Sequence, residues 1–256
     1  MHPDWLRPDW QADGVGGLMT TRQGGVSRAP FDSLNLRVAV GDDPHAVAQN
    51  QRLLADAIGA TPVWLNQVHG ARVVRLTGAD LGVDAAIHDA DGSVTTEPGI
   101  ACAAQVADCL PVLFAAPRGR AVGAAHAGWR GLAAGVLEAT LAQVCEAADC
   151  APEEVQTWLG ACIGPQQFEV GPDVLEAFGT SPVANDSPRF IAKSPGKWYA
   201  DLPALARGRL RAAGILAIFG GAWCSVSEPS RFFSFRRDRV TGRMAAVVWI
   251  DAARAD

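Results

Sequence analysis

No stretch of this chain approaches the roughly 18 consecutive apolar residues that a membrane-spanning helix requires. Its start, Met-His-Pro-Asp-Trp, lacks the basic and apolar regions of a secretory leader. The expectation is a cytoplasmic protein with no membrane partner. A surplus of positive charge is also missing, since 22 Lys and Arg stand against 27 Asp and Glu, for a net charge of −5. Nucleic-acid affinity comes largely from clustered cations, so no nucleic-acid partner is expected. The absence of any CxxC pair removes a zinc ribbon and a thioredoxin-type redox motif from consideration. Six cysteines (102, 109, 145, 150, 162 and 224) are present, but a 256-residue chain can build a core without a disulfide framework, so they read as free thiols. Internal repeats, low-complexity tracts and linkers are absent, which leaves one domain over residues 1–256. Histidine is scarce, at five, and where those few fall is therefore informative.

What is present is an ordinary globular balance, 49% hydrophobic and 19% charged. Short apolar or alternating runs bounded by Gly, Pro or Asp predict strands over 15–21, 63–68, 72–76, 100–106, 110–116, 121–126, 155–163, 215–220 and 245–250. Helical periodicity predicts helices over 44–58, 131–148, 172–177 and 202–213. In the second of these, Leu132, Val136, Thr140 and Val144 recur at spacings of four, and Leu137 and Leu141 widen the stripe. Asp43 and Asp201 are suitable N-caps for the first and the last. Residues 182–195, dense in Pro, Ser and Asn, read as a surface loop. Strands and helices do not alternate as a doubly wound parallel sheet demands. The fold class is α+β, with mixed or antiparallel β layers flanked by helices.

Three chemically capable residues close strand-like runs: His69 in Asn-Gln-Val-His-Gly, Cys109 in Ala-Asp-Cys-Leu-Pro, and His126 in Ala-His-Ala-Gly-Trp-Arg-Gly. Together they would make a His₂Cys shell with a position left for an exchangeable ligand, a pattern that suits catalytic zinc. Strands 110–116 and 121–126, paired through a turn at 117–120, would bring Cys109 and His126 roughly opposite each other. Cys109 could equally be a nucleophile with His126 as its base, or each residue could simply be packed in the core. Arg130, at the glycine-rich corner before a predicted helix, could bind an anion with help from the helix N-terminus. Arg22 lies in a second Gly-rich stretch, and Asn35 in Ser-Leu-Asn-Leu. The run Phe232-Phe233-Ser234-Phe235-Arg236-Arg237-Asp238 reads either as the wall of a pocket for a planar or anionic ligand, or as a strand with a salt-bridged turn over 238–242.

In sequence order, the segments TTRQGGVS, PFDSLNL, GDDP, NQVHG, DADGSVTT, ADCLPVL, AAHAGWRG, GACIGPQQFEVG and FFSFRRDRVTGRMAAVVW resemble the YfiH-type family. That family is also called the polyphenol oxidase or laccase-domain family, and its members are described as purine nucleoside phosphorylases with adenosine deaminase activity. The likeness runs from about residue 20 to 250. It implies an α+β fold related to a group of cysteine hydrolases, and a zinc held by His69, Cys109 and His126. It also implies a purine nucleoside and phosphate as partners. For that chemistry the expectation is that Cys109, His126 and Arg130 are catalytic and that Arg22, Asn35, Asp108 and Arg236 contact substrate. The chain departs from the family in having Ala161-Cys162 before Ile-Gly-Pro, and Phe235 where a tyrosine hydroxyl is common.

The laccase description is limited by composition. A multicopper centre needs about ten histidines, twice what the chain holds, so only a single copper of blue type would be possible, and zinc is the better expectation. Zinc would lower the pKa of a bound water to near 7 for attack on C6 of adenine, while cations held phosphate below C1′ of the ribose. The alternatives are a Cys109/His126 hydrolase acting on cell-wall precursors, in keeping with the family's link to peptidoglycan editing, and a zinc-stabilised binding module. The preferred nucleoside and the oligomeric state are not legible in the sequence.

Overall fold

The computed structural model describes residues 2–82, 85–183 and 187–251. In chain order its elements are β1 (Val15–Met19), α1 (Pro44–Ile58), β2 (Thr61–Val63), β3 (Val73–Arg75), β4 (Gly92–Thr95), β5 (Ile100–Val106), β6 (Leu110–Ala115) and β7 (Val122–Ala127). There follow α2 (Trp129–Ala134), α3 (Val136–Ala148), β8 (Gln156–Leu159), β9 (Glu169–Val170), α4 (Pro172–Ala177), β10 (Phe190–Ser194), β11 (Lys197–Ala200), α5 (Leu202–Ala212), β12 (Ala217–Gly220), α6 (Phe235–Asp238) and β13 (Met244–Ile250). A six-stranded sheet runs β12-β8-β6-β7-β4-β3, a four-stranded sheet runs β1-β13-β5-β2, and β10-β11-β9 form a small third sheet. Most pairings are antiparallel, but β2–β5, β3–β4 and β8–β12 are parallel, so the sheets are mixed as expected.

The layers follow from alternation along the strands. On β5, Ile100, Cys102 and Val106 point into the space between the two large sheets, where they meet Leu113, Val122, Ala124, Met244 and Val248. Ala101 and Ala103, on the opposite face, pack under Leu54 and Ile58 of α1 and Leu34 and Leu36 of the preceding loop. On β6, Leu110, Val112 and Phe114 face the other way, toward Leu137, Leu141 and Val144 of α3 and Leu205 and Leu210 of α5. Because both faces of β5, β6 and β7 are covered, these strands are buried at every position and nearly all apolar, with Gln105 and His126 the polar exceptions. No helix among the described residues is long and apolar enough to cross a membrane.

Several elements differ from the sequence reading. The helix predicted over 131–148 is two helices, because Gly135 adopts φ 95°, a left-handed conformation that ends α2 after six residues and starts α3. The strand predicted over 155–163 stops at Leu159, and β2 covers only the residues up to Val63. Strand β4 was not predicted, its Gly-Ser-Val-Thr being too short and too polar to stand out. The C-terminal aromatic run is neither a strand nor an Asp238–Gly242 turn. Ser234 accepts from the Arg237 amide and starts the one-turn helix α6, and Asp238 pairs instead with the neighbouring Arg237 at 2.7 Å. Part of the loop expected at 182–195 is β10, while residues 184–186 lie outside the described residues. Helices α1 and α5 start where expected, with Asp43 accepting from His45 N and Asp201 from Ala204 N.

Candidate metal centre

Strands β6 and β7 pair with Leu110 opposite Ala127 and Pro111 opposite His126. The register is two residues from the symmetric hairpin expected of the sequence. Cys109 therefore sits opposite Gly128, diagonal to His126 and on the same face of the sheet, still within side-chain reach. The close approach explains the glycine. A Cβ at position 128 would lie 2.9 Å from the His69 ring and 3.0 Å from Cys109 Sγ.

His69 arrives from a separate loop, and each residue of its motif has a task in placing it. Asn66 donates to Asp89 at 2.7 Å. The Gln67 amide exchanges two hydrogen bonds with the Gln105 backbone and so ties the loop to β5. His69 itself has φ 61°, an uncommon value for a non-glycine residue that the surroundings must hold in place. What holds it is Asp91, buried at the start of β4, whose carboxylate accepts from the amides of Val68, His69 and Gly70. The same carboxylate accepts from His126 Nδ1 at 2.8 Å. With Nδ1 so engaged, Nε2 of His126 is left to face Cys109 and His69, the arrangement in which a carboxylate fixes a ligating imidazole.

The ligand atoms of His69, Cys109 and His126 all lie within 4.8 Å of one another, and Cys109 Sγ is 3.8 Å from His69 Nε2. Metal–sulfur and metal–nitrogen bonds of about 2.3 and 2.0 Å in a tetrahedral shell set ligand atoms roughly 3.3–3.5 Å apart, so the Cys109–His69 pair is close to that spacing and the wider pairs would draw in on binding. The donor set fits a soft or borderline divalent metal. Burial would push the Cys109 thiol up, but the charge on His126 and hydrogen bonds from both histidines outweigh it and bring the thiol down to about 6. Burial likewise works against the His126 cation, while the Cys109 thiolate and Asp91 raise it to about 9. For Asp91, burial raises the carboxyl, and the bonds from His126 and the loop amides pull it below the usual range.

The triad lies where two cavities meet, and Cys109 and Phe235 line both. One, of about 320 Å³, is walled by Trp129, Phe168 and Phe235 with Arg130, Arg236 and Arg239. The other, of about 390 Å³, holds His69 and His126 together with Gln67, Gln105, Arg37 and Arg243. Arg130 is exposed and stacks on Trp129 with its guanidinium carbon 4.3 Å from the ring centre. The long helix expected behind this corner is only the six residues of α2. Asp108, at φ 94°, accepts from the Ser225 hydroxyl and the Arg236 amide, both at 2.6 Å, and thereby anchors α6 over the site. Arg236 also donates to the Glu169 carbonyl.

Arg22 and Asn35 line neither cavity. The Arg22 guanidinium donates to the carbonyls of Asp32 and Pro229 and pairs with the Asp32 carboxylate, bracing two loops. Asn35 is fully buried, and its Oδ1 accepts from the amides of both Arg37 and Arg243. The sequence reading passed over Asp91, Gln67, Gln105 and Arg37. Asp91 stood within DADGSVTT, but an Asp-Gly step reads as a turn, and nothing local distinguishes it.

A family model described as multi-copper polyphenol oxidoreductase laccase matches residues 17–251. A purine nucleoside phosphorylase of Pseudomonas aeruginosa is 48% identical over 247 residues, which is 96% of this chain and 98% of that protein. The purine nucleoside phosphorylase YfiH of Escherichia coli K12 is 48% identical over 246 residues, 95% and 97% of the two chains. Among solved structures, a DUF152 protein of Neisseria meningitidis has a TM-score of 0.90 at 45% identity, covering 97% of this chain and all of that one. YlmD from Geobacillus stearothermophilus has a TM-score of 0.84 at 35% identity, covering 93% and 92%.

Proposed function

The chain belongs to the family described as multi-copper polyphenol oxidoreductase laccase, and from that membership, with its relatives' names and its own site, we propose that it is a zinc-dependent purine nucleoside phosphorylase that also deaminates adenosine. The observation that carries the reading is the convergence of His69, Cys109 and His126 at the junction of two cation-lined cavities. His69, Cys109 and His126 would hold the zinc, which when bound supplies a Lewis acid with an exchangeable position.

The chain's own residues do the rest. Asp91 keeps His126 in the tautomer that presents Nε2 to the centre, and fixes the loop bearing His69. Trp129, Phe168 and Phe235 provide aromatic surface for a purine, and Arg130 and Arg236 provide donors for its acceptor nitrogens. Phosphorolysis then forms a bond from a phosphate oxygen to C1′ of the ribose. The bond from C1′ to the purine nitrogen breaks, and its electron pair leaves with the base. Copper fits this site less well than zinc. A blue-type centre takes a weak axial ligand, commonly methionine, and neither Met19 nor Met244 lines the cavities. Met19 Sδ accepts from the Ala161 amide, and Met244 is buried between the sheets.

A second reading is favoured by one observation, the lowered Cys109 thiol beside a raised His126, which is also the preparation of a Cys/His hydrolase nucleophile. The zinc-loaded protein incubated with adenosine, with and without phosphate, and resolved by chromatography separates the two. Adenine formed only with phosphate, or inosine formed without it, is the expected result, as is loss of both in Cys109→Ser and in His69→Ala. Turnover of cell-wall amides by metal-free protein, abolished by alkylation, would replace the nucleoside reading with the hydrolase.

A further inference from the structure

Two arginines share the cavity that contains all three residues of the triad, and their backbones are clamped together. Asn35 Oδ1 accepts from the backbone amides of Arg37 and Arg243 at 3.1 and 2.9 Å, and the Leu36 amide donates to the Arg243 carbonyl. This clamp fixes two cations side by side in the wall of the cavity that contains His69 and His126. Arg37 donates only a long bond, 3.5 Å, to Gln105 Oε1, and Arg243 uses one nitrogen on the carbonyls of Thr241 and Gly242. Among the described residues neither has a carboxylate within ion-pair distance. Both are half-buried. Burial lowers both guanidinium pKa values; Asp91 partly offsets this for Arg37, while for Arg243 the charge of Arg37 adds to it and Cys109 and Asp108 oppose it. Two adjacent cations, partly withdrawn from water and with donors left over, are a cost that a dianion would relieve. The amides that might otherwise compete are engaged, Gln67 with the β5 backbone and Gln105 with the Leu36 carbonyl.

We propose that Arg37 and Arg243 form the phosphate subsite, gripping inorganic phosphate between their guanidiniums and the triad. The inference rests on the phosphorylase reading and deepens it. It places the attacking phosphate in the His69/His126 cavity and the purine in the Trp129/Phe168 cavity, with the ribose between them beside Cys109. A phosphate oxygen bonds to C1′ as the bond from C1′ to the purine breaks. The departing base carries the electron pair and takes the one proton of the attacking hydrogen phosphate dianion, which leaves as the ribose 1-phosphate dianion. Asn35, which touches neither reactant, is a positioning residue for the pair.

Calorimetric titration with inorganic phosphate tests the site without relying on turnover. Arg37→Gln and Arg243→Gln are each expected to bind phosphate at least ten-fold more weakly than the unmodified protein. Arg243→Lys, which keeps the charge and disturbs the 241–243 turn less, is expected to weaken it several-fold. In turnover, the same changes should raise the KM for phosphate while leaving the KM for nucleoside within about two-fold. No phosphate binding by the unmodified protein, or weakening by Arg130→Gln or Arg236→Gln in place of the Arg37 and Arg243 changes, would overturn the assignment. Binding of adenosine 5′-phosphate but not of inorganic phosphate would also overturn it, marking the pair as a grip on a substrate's own phosphate. Phosphate bound at the pair with no phosphorolysis of any purine nucleoside would sink the phosphorylase reading and leave the anion site standing.

Discussion

Asp91 accepts from three consecutive loop amides and from the His126 ring, so one buried carboxylate organises two of the three candidate metal ligands. Replacing it with asparagine keeps the shape but offers a single acceptor oxygen to donors that needed two. Zinc affinity of Asp91→Asn, measured against a chromophoric chelator, should fall by about 10- to 100-fold. A change of less than two-fold would show that the loop is held by other means. Cys109 gives a second prediction at this scale. In metal-free protein its thiol, lowered to about 6, is protonated below that pH and a thiolate above it. Its alkylation by iodoacetamide should therefore reach half its maximal rate near pH 6, against roughly 8.5 for an ordinary thiol. Cys102, fully buried and pushed up to about 12, should stay unmodified in the folded protein. The three converging residues were legible in the sequence because scarce histidines ended strand-like runs. Asp91 was not, because its value lies in what folds around it, and an aspartate before glycine looks the same in any turn.

Elements bring these residues together through two glycines with different reasons for being glycine. Gly128 has φ −63°, which any residue adopts, so only the space beside His69 and Cys109 excludes a side chain. Gly135 has φ 95° and open surroundings apart from the tips of Arg209 and Glu138, so only its backbone excludes one. Gly128→Ala should thus lower zinc affinity while costing no more than about 1–3 kcal/mol of stability. Gly135→Ala should cost about 1–3 kcal/mol with zinc affinity intact. Paired chemical denaturation and chelator competition would tell them apart, and equal effects on both quantities would contradict the distinction. Strands β5, β6, β7 and β13 and helices α1 and α5 could be read from apolar runs, periodicity and aspartate caps. The break at Gly135, strand β4 and helix α6 could not, because a single left-handed residue or a four-residue element leaves too little pattern to see.

Across the molecule, the site joins pieces that the chain keeps far apart: the loop before β3, the start of β6, the end of β7, and α6 with the turn before β13. A metal held there would tie the ends of β6 and β7, central strands of one large sheet, to a loop braced by Asp91 and by β5 of the other. At 100-fold ligand excess over the dissociation constant, a native-state ligand adds about 2.7 kcal/mol. For a chain of this size each kcal/mol is worth roughly 2–4 °C. Chelation should lower the melting temperature by roughly 5–10 °C, and an unchanged transition would mean that the triad holds no metal in the native protein.

Composition and local pattern determined the α+β class, the main strands and helices and the choice of His69, Cys109 and His126 as candidate ligands, since these depend on hydrophobic period, cap chemistry and rare residue types that are properties of short segments. Only the tertiary structure decided that Cys109 sits diagonal to His126, that Asp91 gathers the loop and the imidazole, that Asn35 and Arg22 brace loops, and that Arg37 stands beside Arg243. Each of those depends on register and on contacts between segments distant along the chain, where the geometry is set by packing and no neighbouring residue records it.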